Sequence, residues 1–389
     1  MAGDLMSCVI SARAVVSGTD VLRPGWVEVE TDRVVAVGAG TPPRPADQDF
    51  PSAVIVPGFV DTHCHGGGGG AFTDATAAED DPAVLSALTC HRAHGTTRMM
   101  ASLVSASPEA LLNQVVALRP HVEAGRLLGI HLEGPWMSPC RLGAHDPTAV
   151  RHPGIEEIDA LLEAANGTIA MVTLAPELPG GFDAVRRFAQ DGVAVAVGHT
   201  DATYDVTCAA IESGARVGTH LFNAMRGVHH REPGPVIALM GDPRVTVELI
   251  TDGVHVHPAV YTDVVRSVGA HRVALVTDAM AAAGMPDGRY GLGTLDVDVV
   301  DGVAKVAGTE TIAGSTATMD SLFRFAITHG GLQEDEALVA AVQQTAVTPA
   351  QAHGVEVAAL RVGDRADLVA LDEQWTVIDV MHAGAWLSS

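Results

Sequence analysis

Apolar runs of strand length recur along the middle of this chain, and segments with a helical period lie between most of them. The apolar runs cover residues 54–56, 97–104, 127–131, 169–174, 193–197, 216–219, 245–250 and 273–277. The helical segments include residues 108–119, 155–165, 183–190, 203–213 and 258–268. Eight buried strands that alternate with helices predict an α/β fold, a closed TIM-like (β/α)8 barrel with parallel strands.

The two ends of the chain have a different pattern. Residues 7–16, 26–30 and 33–37 are short strand-like segments separated by turns, and residues 365–371 and 376–380 are again strand-like. A proline-rich joint at residues 41–45 follows the first group. We therefore predict a small β-sandwich domain formed by residues 1–57 and 355–389, and a catalytic barrel formed by residues 58–354.

The charge of the chain argues against several classes of partner. It carries 47 Asp and Glu residues against 23 Lys and Arg, a formal charge of −24, and Lys305 is its only lysine. Nucleic acids and anionic membranes are bound by clustered cations, so neither is expected as a partner. No apolar run is long enough to span a membrane, and residues 1–10 lack the basic start of a signal peptide. Five scattered cysteines without a CxxC pair favour a reduced, cytoplasmic enzyme.

Ionisable side chains fall at the ends of five of the predicted strands. They are His63 and His65 after the first strand, Glu133 in the third, His199 in the fifth, His220 in the sixth and Asp278 in the eighth. The C-terminal ends of barrel strands meet at one mouth, so these side chains are expected to converge. Each alone has an ordinary structural explanation, and a lone His-x-His pair is weak evidence for a metal. Their shared position argues against that explanation, because unpaired burial of each would be costly and a shared ion removes the cost.

These residue types are sufficient for a metal-dependent hydrolase. Two imidazoles and a carboxylate form a three-ligand site that leaves a position open for water. A bound ion lowers the pKa of that water, and a nearby carboxylate can take its proton. His63 and His65 share one face of their strand while Cys64 points to the other, so Cys64 is expected to pack rather than to bind the ion. Zn²⁺ is the expected ion, although Fe²⁺, Mn²⁺ or Co²⁺ would accept the same ligands.

Longer motifs surround these residues, in order, along nearly the whole chain. They are VPGFVDTHCHG (56–66), HLEGP (131–135), GHT (198–200), THLFNAM (219–225), REPG (231–234), DGVH (252–255), TDAM (277–280) and AGS (313–315). Together they resemble the amidohydrolase superfamily and, within it, the N-acetylglucosamine-6-phosphate deacetylases. The His-x-His pair is shared across the superfamily, whereas HLEGP, THLFNAM with REPG, and DGVH are specific to these deacetylases.

The resemblance implies a role for many positions. Glu133, His199 and His220 would hold the metal, and Asp278 would be the catalytic acid and base. The implied substrate contacts are Ala144, His145, Asn223, Ala224, Arg231, Asp252, Gly253, Val254, His255, Ile312, Ala313 and Gly314. Arg231 and His255 would contact a sugar phosphate, with Arg231 reaching across the interface of a homodimer. Because His63 and His65 are both present, one or two ions are compatible with the sequence, with Glu133 as the bridge between two.

The expected reaction is hydrolysis of the N-acetyl group of N-acetylglucosamine 6-phosphate to glucosamine 6-phosphate and acetate. One alternative is another metal-dependent amidohydrolase, such as a deacylase of a related amino sugar or a nucleobase deaminase. A second is a non-catalytic barrel used as an interaction scaffold, which should have lost ligands that this chain keeps. The preference between glucosamine and galactosamine stays open. Cys140, in the loop after Glu133, is either a neutral loop residue or one that lines or regulates the sugar site.

Overall fold

The structure is a computed structural model of the chain and describes residues 7–387. Its strands are β1 Ser7–Ser17, β2 Asp20–Leu22, β3 Gly25–Glu30, β4 Arg33–Ala39, β5 Gln48–Pro57, β6 Phe59–Asp61, β7 Gly66–Gly67, β8 Gly70–Ala71, β9 Thr96–Met99, β10 Ala101–Leu103, β11 Ile130–Glu133, β12 Ile169–Leu174, β13 Ala194–Val197, β14 Val217–Gly218, β15 Thr246–Leu249, β16 Val273–Leu275, β17 Gly288–Leu292, β18 Leu295–Val300, β19 Val303–Val306, β20 Leu368–Leu371, β21 Val377–His382 and β22 Ala385–Trp386.

Several of the helices begin at residues whose side chains cap the first turn. The helices are α1 Pro82–Ala93, α2 Pro108–Glu123, α3 Ile155–Ala165, α4 Gly181–Gln190, α5 Tyr204–Ser213, α6 Gly234–Gly241, α7 Pro258–Val268, α8 Met319–His329, α9 Glu334–Val342 and α10 Thr348–Ala352. Asp81 and Ser107 each accept a hydrogen bond from a backbone N–H of the first turn, and a proline follows each of them. Such a cap satisfies an N–H that the helix leaves unpaired, and proline lacks the N–H altogether. No described helix has the length and hydropathy needed to cross a membrane.

Eight parallel strand positions form a TIM-like barrel. β6 pairs with β9, and β10 to β16 form a seven-stranded parallel sheet in chain order, so β9 and β10 are two halves of one barrel strand. The ring closes beyond β16, where the N–H of Asp278 donates to the carbonyl of His63 at 2.8 Å and Cys64 forms a parallel bridge with Ala279. The C-terminal ends of the strands therefore face one mouth, as the sequence predicts.

The predicted position of the first barrel strand is wrong. Residues 54–56 lie in β5, which pairs in parallel with β1 and antiparallel with β20, and the first barrel strand is β6 instead. Both segments are buried apolar runs, so hydrophobic pattern alone does not separate them. What distinguishes residues 54–56 is their partner β20, more than 300 residues later in the chain, and pairing over that distance leaves no local signal.

Strands from both ends of the described chain form one eight-stranded sheet. Its order is β22-β21-β20-β5-β1-β3-β4, with β2 paired to β1. The sheet thus joins residues 7–57 to residues 368–386 through the β5–β20 pair. A β-sandwich with the predicted domain bounds stays a prediction, and residues 1–6 and 388–389 of that predicted domain lie outside the described residues.

A three-stranded antiparallel sheet, β17–β18–β19, follows the last barrel strand and was not predicted. Two sequence signals mark it in retrospect. Residues 295–299 alternate between apolar and acidic side chains, and Val297 and Val299 are buried. The dipeptide Asp301-Gly302, between β18 and β19, is typical of a hairpin turn. The sheet packs Leu292 and its buried valines against Val104, and this places it beside the mouth of the barrel.

The interior of the barrel is layered along its strands. The lower layer is apolar and consists of Met100, Met171, Ala196 and Val217. The layer above it is polar. It contains the hydroxyl groups of Ser102, Thr173 and Thr219, each two residues further along its strand. Both ring nitrogens of His131 lie 2.9 Å from hydroxyls, those of Ser102 and Thr173. His131 is therefore held by hydroxyls in this layer, and the next inward residue of its strand, Glu133, reaches the mouth.

Candidate active site

Four histidine side chains surround the carboxylate of Glu133 at the mouth. His65, His199 and His220 each place Nε2 at 3.1 Å from a Glu133 oxygen, and His63 places Nε2 at 3.5 Å. All five side chains are at most 5% exposed. The structure thus brings together the residues from the first, third, fifth and sixth barrel strands that the sequence predicts to converge.

Asp278 joins this cluster from the last barrel strand. Its Oδ1 lies 3.1 Å from His65 Nε2 and 3.4 Å from His63 Nε2. The backbones of His199, His220 and Asp278 all have left-handed φ angles, 47°, 27° and 48°. Residues other than glycine rarely adopt this backbone conformation. The strain that it imposes is typical of functional positions.

Hydrogen bonds on the far side of two rings fix the direction of their lone pairs. Nδ1 of His65 lies 3.1 Å from the carbonyl of Ser102, and Nδ1 of His199 lies 3.0 Å from the carbonyl of Arg141. A carbonyl oxygen only accepts, so each Nδ1 must carry a proton. In the neutral rings Nε2 then presents its lone pair to the cluster, which is the arrangement of metal-binding histidines.

The cluster fits a divalent metal ion. Donor atoms of His63, His65, Glu133 and Asp278 all lie within 4.8 Å of one another. The Nε2 atoms of His199 and His220 are 3.1 Å apart, and each lies 3.1 Å from the same Glu133 oxygen, so three possible donor atoms lie close together. Imidazole and carboxylate donors suit Zn²⁺ and other first-row divalent ions.

His145 has the opposite arrangement and is a hydrogen-bond donor. The backbone N–H of Ser105 donates to its Nδ1 at 3.2 Å, so Nδ1 carries the lone pair and Nε2 carries the proton. Nε2 lies 3.3 Å from the carboxylate of Glu133. Burial is the main reason that the pKa of His145 is below its ordinary value of 6.5, so the ring is neutral at pH 7. It is therefore an uncharged N–H donor beside the carboxylate of Glu133.

The metal-free cluster holds protons that an ion would displace. Burial lowers the pKa of His65, but hydrogen bonds to Asp278 and Glu133 outweigh burial and raise it to about 9. The pKa of His63 is likewise raised well above 6.5, because the same two carboxylates outweigh its burial. These rings are charged at neutral pH in the free protein, and an ion needs their Nε2 lone pairs.

Metal affinity is therefore expected to rise with pH. Below pH 9, binding releases at least the His65 proton, so the association constant should increase about tenfold per pH unit for each proton released. The measurement is competition with a chelator of known pH dependence between pH 6 and 9, on protein shown by circular dichroism to stay folded. An affinity that does not change over this range would contradict the protonation of the free cluster.

A cavity of about 400 Å³ opens above the cluster. The predicted residues that line it are His65, Glu133, Cys140, Ala144, His145, His199, His220, Asn223, Ala224, His255, Asp278, Ile312 and Gly314. The lining residues that were not predicted are Val104, Arg141, Leu142, Gly143, Leu292, Glu310 and Thr311. Several of these flank predicted positions in the sequence, and Leu292 comes from the three-stranded sheet.

Some predicted residues do not line this cavity. His63 lies fully buried beneath it, and Ala313 is buried in the apolar cluster under the three-stranded sheet. Arg231 lies on an exposed loop, where its guanidinium contacts the neighbouring His230 at 2.8 Å. Gly253 and Val254 are exposed on the loop after β15.

Asp252 does not line the cavity but holds His255, which does. Its carboxylate accepts from His255 Nδ1 at 2.7 Å and from the backbone N–H groups of Val254 and His255 at 2.9 and 2.8 Å. Burial lowers the pKa of His255, but the hydrogen bond to Asp252 and the charge of Asp278 raise it above 6.5 overall. The cavity wall therefore carries an imidazole that favours its positive form, which suits an anionic group of a ligand.

The loop at residues 139–145 covers one side of the cavity and is fastened at Arg141. The guanidinium of Arg141 places Nε and Nη2 at 3.0 and 2.9 Å from one oxygen of Asp201, and its carbonyl accepts from His199. Asp201 also binds Arg226 at 2.6 Å. Cys140 is exposed in this loop and lines the cavity, and its role stays a prediction.

Comparison with known proteins identifies relatives along nearly the full chain. Residues 54–387 match the model of the amidohydrolase family. The N-acetylgalactosamine-6-phosphate deacetylase of Escherichia coli O157:H7 is 35% identical over 378 residues, which cover 94% of this chain and 96% of that protein. The N-acetylglucosamine-6-phosphate deacetylase of Danio rerio is 37% identical over 348 residues, 86% of this chain and 85% of that protein.

A solved structure is similar over the same extent. A variant of the N-acetyl-D-glucosamine-6-phosphate deacetylase of Mycobacterium smegmatis, in complex with N-acetyl-D-glucosamine-6-phosphate, superposes with a TM-score of 0.95 and 56% sequence identity. The match covers 98% of this chain and 99% of that one. The corresponding enzyme of Pasteurella multocida superposes with a TM-score of 0.90 at 27% identity, over 98% of this chain and 99% of that one.

Proposed function

The chain belongs to the amidohydrolase family, and from that premise we propose that it hydrolyses N-acetylglucosamine 6-phosphate to glucosamine 6-phosphate and acetate. The observation that carries the proposal is the histidine cluster around Glu133 under a cavity whose wall holds the cationic His255. One pocket thus combines a cluster suited to a divalent ion with a side chain suited to an anionic group. The substrates named for the Mycobacterium smegmatis and Danio rerio relatives agree with this combination.

A divalent ion is the proposed cofactor, with Glu133, His199 and His220 as ligands and His63 and His65 as ligands of a second ion if two are bound. When bound, such an ion polarises the amide carbonyl and lowers the pKa of water. We propose Zn²⁺, because imidazole and carboxylate donors in a nearly closed site are its usual ligands.

Asp278 is proposed as the general base and then the general acid. Burial raises the pKa of Asp278, but His63 and His65 outweigh burial and lower it to about 2, so the carboxylate is ionised in the metal-free protein. It accepts a proton from the attacking water as the water oxygen forms a bond to the acyl carbon. It returns that proton to the amine nitrogen as the C–N bond breaks.

His145 is proposed to stabilise the negative charge that develops on the carbonyl oxygen. Its Nε2–H points towards the cluster because Nδ1 accepts from the N–H of Ser105, and burial keeps the ring neutral. A donor that is fixed before the reaction does not need to reorient when charge develops, and this gives it a large effect.

The phosphate is proposed to bind His255, with Arg231 supplied by the partner subunit of a homodimer. Arg231 lies outside this chain's cavity on an exposed loop, together with Val228, which is 53% exposed. A planar guanidinium can bind two phosphate oxygens at once, and lysine is nearly absent from the chain. Ala144, Asn223, Ala224, Ile312 and Gly314 are proposed as contacts of the sugar and acetyl groups.

Replacing His255 should separate phosphate recognition from hydrolysis. His255→Gln is expected to lower kcat/KM for N-acetylglucosamine 6-phosphate by about 10²-fold, because one charge-assisted hydrogen bond of roughly 1.5–3 kcal/mol is lost. Activity on unphosphorylated N-acetylglucosamine should change much less. Steady-state kinetics on both sugars measure this, and equal losses on both would show that His255 does not bind the phosphate.

The galactosamine epimer is the second candidate substrate, since the Escherichia coli relative named for it aligns with 94% of this chain. We favour glucosamine because the Mycobacterium smegmatis enzyme is 56% identical. The test is acetate release from both 6-phosphates by metal-loaded protein. A higher kcat/KM for the glucosamine epimer supports the proposal, and a higher value for the galactosamine epimer contradicts it.

The organisation of the chain is part of the same proposal. We propose that residues 1–57 and 355–389 form a small β-sandwich domain and that residues 58–354 form the catalytic barrel. Strand pairing between β5 and β20 supports the joining of the two ends. A cytoplasmic location is proposed from the five scattered cysteines, all of them free in the structure.

A further inference from the structure

A buried glutamate on β15 has no place in the mechanism above. Glu248 is 1% exposed, and the flanking Val247 and Leu249 pack into the apolar core outside the barrel. Because side chains of a strand alternate, the Glu248 carboxylate points to the inside of the barrel. A carboxylate in such surroundings is costly unless it is paired with a proton donor or a cation.

The partner of Glu248 is His63. Oε2 lies 3.3 Å from His63 Nδ1, and it also accepts from the backbone N–H of His220 at 3.4 Å. The backbone carbonyl of Glu248 accepts from the N–H of Leu221 at 2.8 Å. Oε1 has no hydrogen-bond partner among residues 7–387. The side chain is therefore fixed between the first and sixth barrel strands, and it contacts the imidazole of His63 through Nδ1.

We propose that Glu248 is a positioning residue that keeps the proton of His63 on Nδ1 and turns the Nε2 lone pair towards Glu133 and Asp278. Nε2 of His63 lies 3.5 Å from Glu133 and 3.4 Å from Asp278, so this lone pair is aimed at the space between the two carboxylates. The inference rests on the proposed function only in requiring that the cluster binds a divalent ion. Glu248 itself touches neither the cavity nor the substrate.

The acceptor of His63 differs in kind from those of the other rings. His65 and His199 donate to the neutral carbonyls of Ser102 and Arg141, whereas His63 donates to a carboxylate. A carboxylate makes the opposite nitrogen of an imidazole more basic and a stronger metal ligand. Glu248 is thus expected to strengthen the ion bound through His63 more than the ion held by His199 and His220.

The test is a Co²⁺ titration of metal-free protein, with the visible spectrum recorded and the bound ions counted by elemental analysis. Glu248→Leu removes the acceptor and is expected to weaken the ion at His63 by about 10–100-fold, so that fewer ions are bound at the concentration that saturates the unchanged protein. Glu248→Gln keeps an acceptor oxygen without its charge and is expected to lose about tenfold. The matched control is Asp320→Asn, since Asp320 is a buried carboxylate 3.2 Å from Nδ1 of His94, far along the chain from the cluster.

These measurements need no substrate, so their outcome is independent of whether the proposed deacetylation is correct. A purely structural role would lower the unfolding temperature of metal-free Glu248→Leu and leave its Co²⁺ affinities unchanged, which would overturn the proposal. If Glu248→Leu does not fold, an unchanged affinity in Glu248→Gln would overturn it instead. An equal loss of affinity in Asp320→Asn would also overturn it, because the effect would not depend on His63.

Discussion

Asp278→Asn is expected to reduce kcat for acetate release by about 10²–10⁴-fold while the protein stays folded and keeps its metal. An asparagine fills the same volume but cannot take the proton of the attacking water or return it to the amine. KM should change little, because Asp278 is assigned to proton transfer rather than to binding of the phosphate. Stopped assays of acetate with metal analysis on the same preparation provide the measurement.

A carboxylate outside the site provides the control for this measurement. Asp263 on α7 has a side chain that is 80% exposed, so Asp263→Asn should leave kcat unchanged. If Asp278→Asn retained near-normal turnover with metal bound, another group would have to move the proton. If Asp278→Asn lost both its metal and its activity, Asp278 would be a metal ligand. The loss of kcat would then not show that Asp278 is the general base.

Glu133→Gln is expected to have the largest effect on metal binding. Among residues 7–387, Glu133 is the one carboxylate within 3.5 Å of all four imidazoles, and His145 also lies 3.3 Å from it. The amide removes the charge and places an NH₂ group opposite ring nitrogens whose lone pairs point inward. Losing one partner of a buried charged group costs roughly 3–5 kcal/mol, which corresponds to about 10²–10⁴-fold in affinity.

Metal content after dialysis and chelator competition measure this effect. Activity should fall in parallel and return in part at high metal concentration, since the ligand set is weakened rather than removed. Glu156→Gln, on the exposed first turn of α3, is the control and should bind metal normally. Metal affinity within a few-fold of the unchanged protein would contradict the central place of Glu133.

Much of the site could be predicted because the ends of buried strands can be recognised in the sequence. A polar residue that ends an apolar run has a defined position in a parallel barrel, and so Glu133, His199, His220 and Asp278 converge as expected. His63 and His65 converge as well, although the strand that precedes them was misplaced. The predicted position of the His-x-His pair was unaffected, because the pair follows both β5 and β6 and precedes the next strand.

Other features depend on contacts that sequence does not show. The proton on Nε2 of His145 is set by the N–H of Ser105, 40 residues away in the chain. Glu248 is a single acidic residue in an apolar run, and its pairing with His63 spans 185 residues. The three-stranded sheet had local signals, in contrast, and its alternating pattern and Asp301-Gly302 turn would have been sufficient to predict it.

The central claim is that one pocket combines a hydrolytic metal centre with recognition of a sugar phosphate. The most direct measurement is acetate release by metal-loaded protein from N-acetylglucosamine 6-phosphate and, in parallel, from N-acetylglucosamine. We expect kcat/KM to be higher for the phosphate by about 10³-fold or more, because the unphosphorylated sugar lacks the charge-assisted contacts of the phosphate with His255 and Arg231. Equal rates on the two sugars, or no release from either by protein shown to contain metal, would contradict the account.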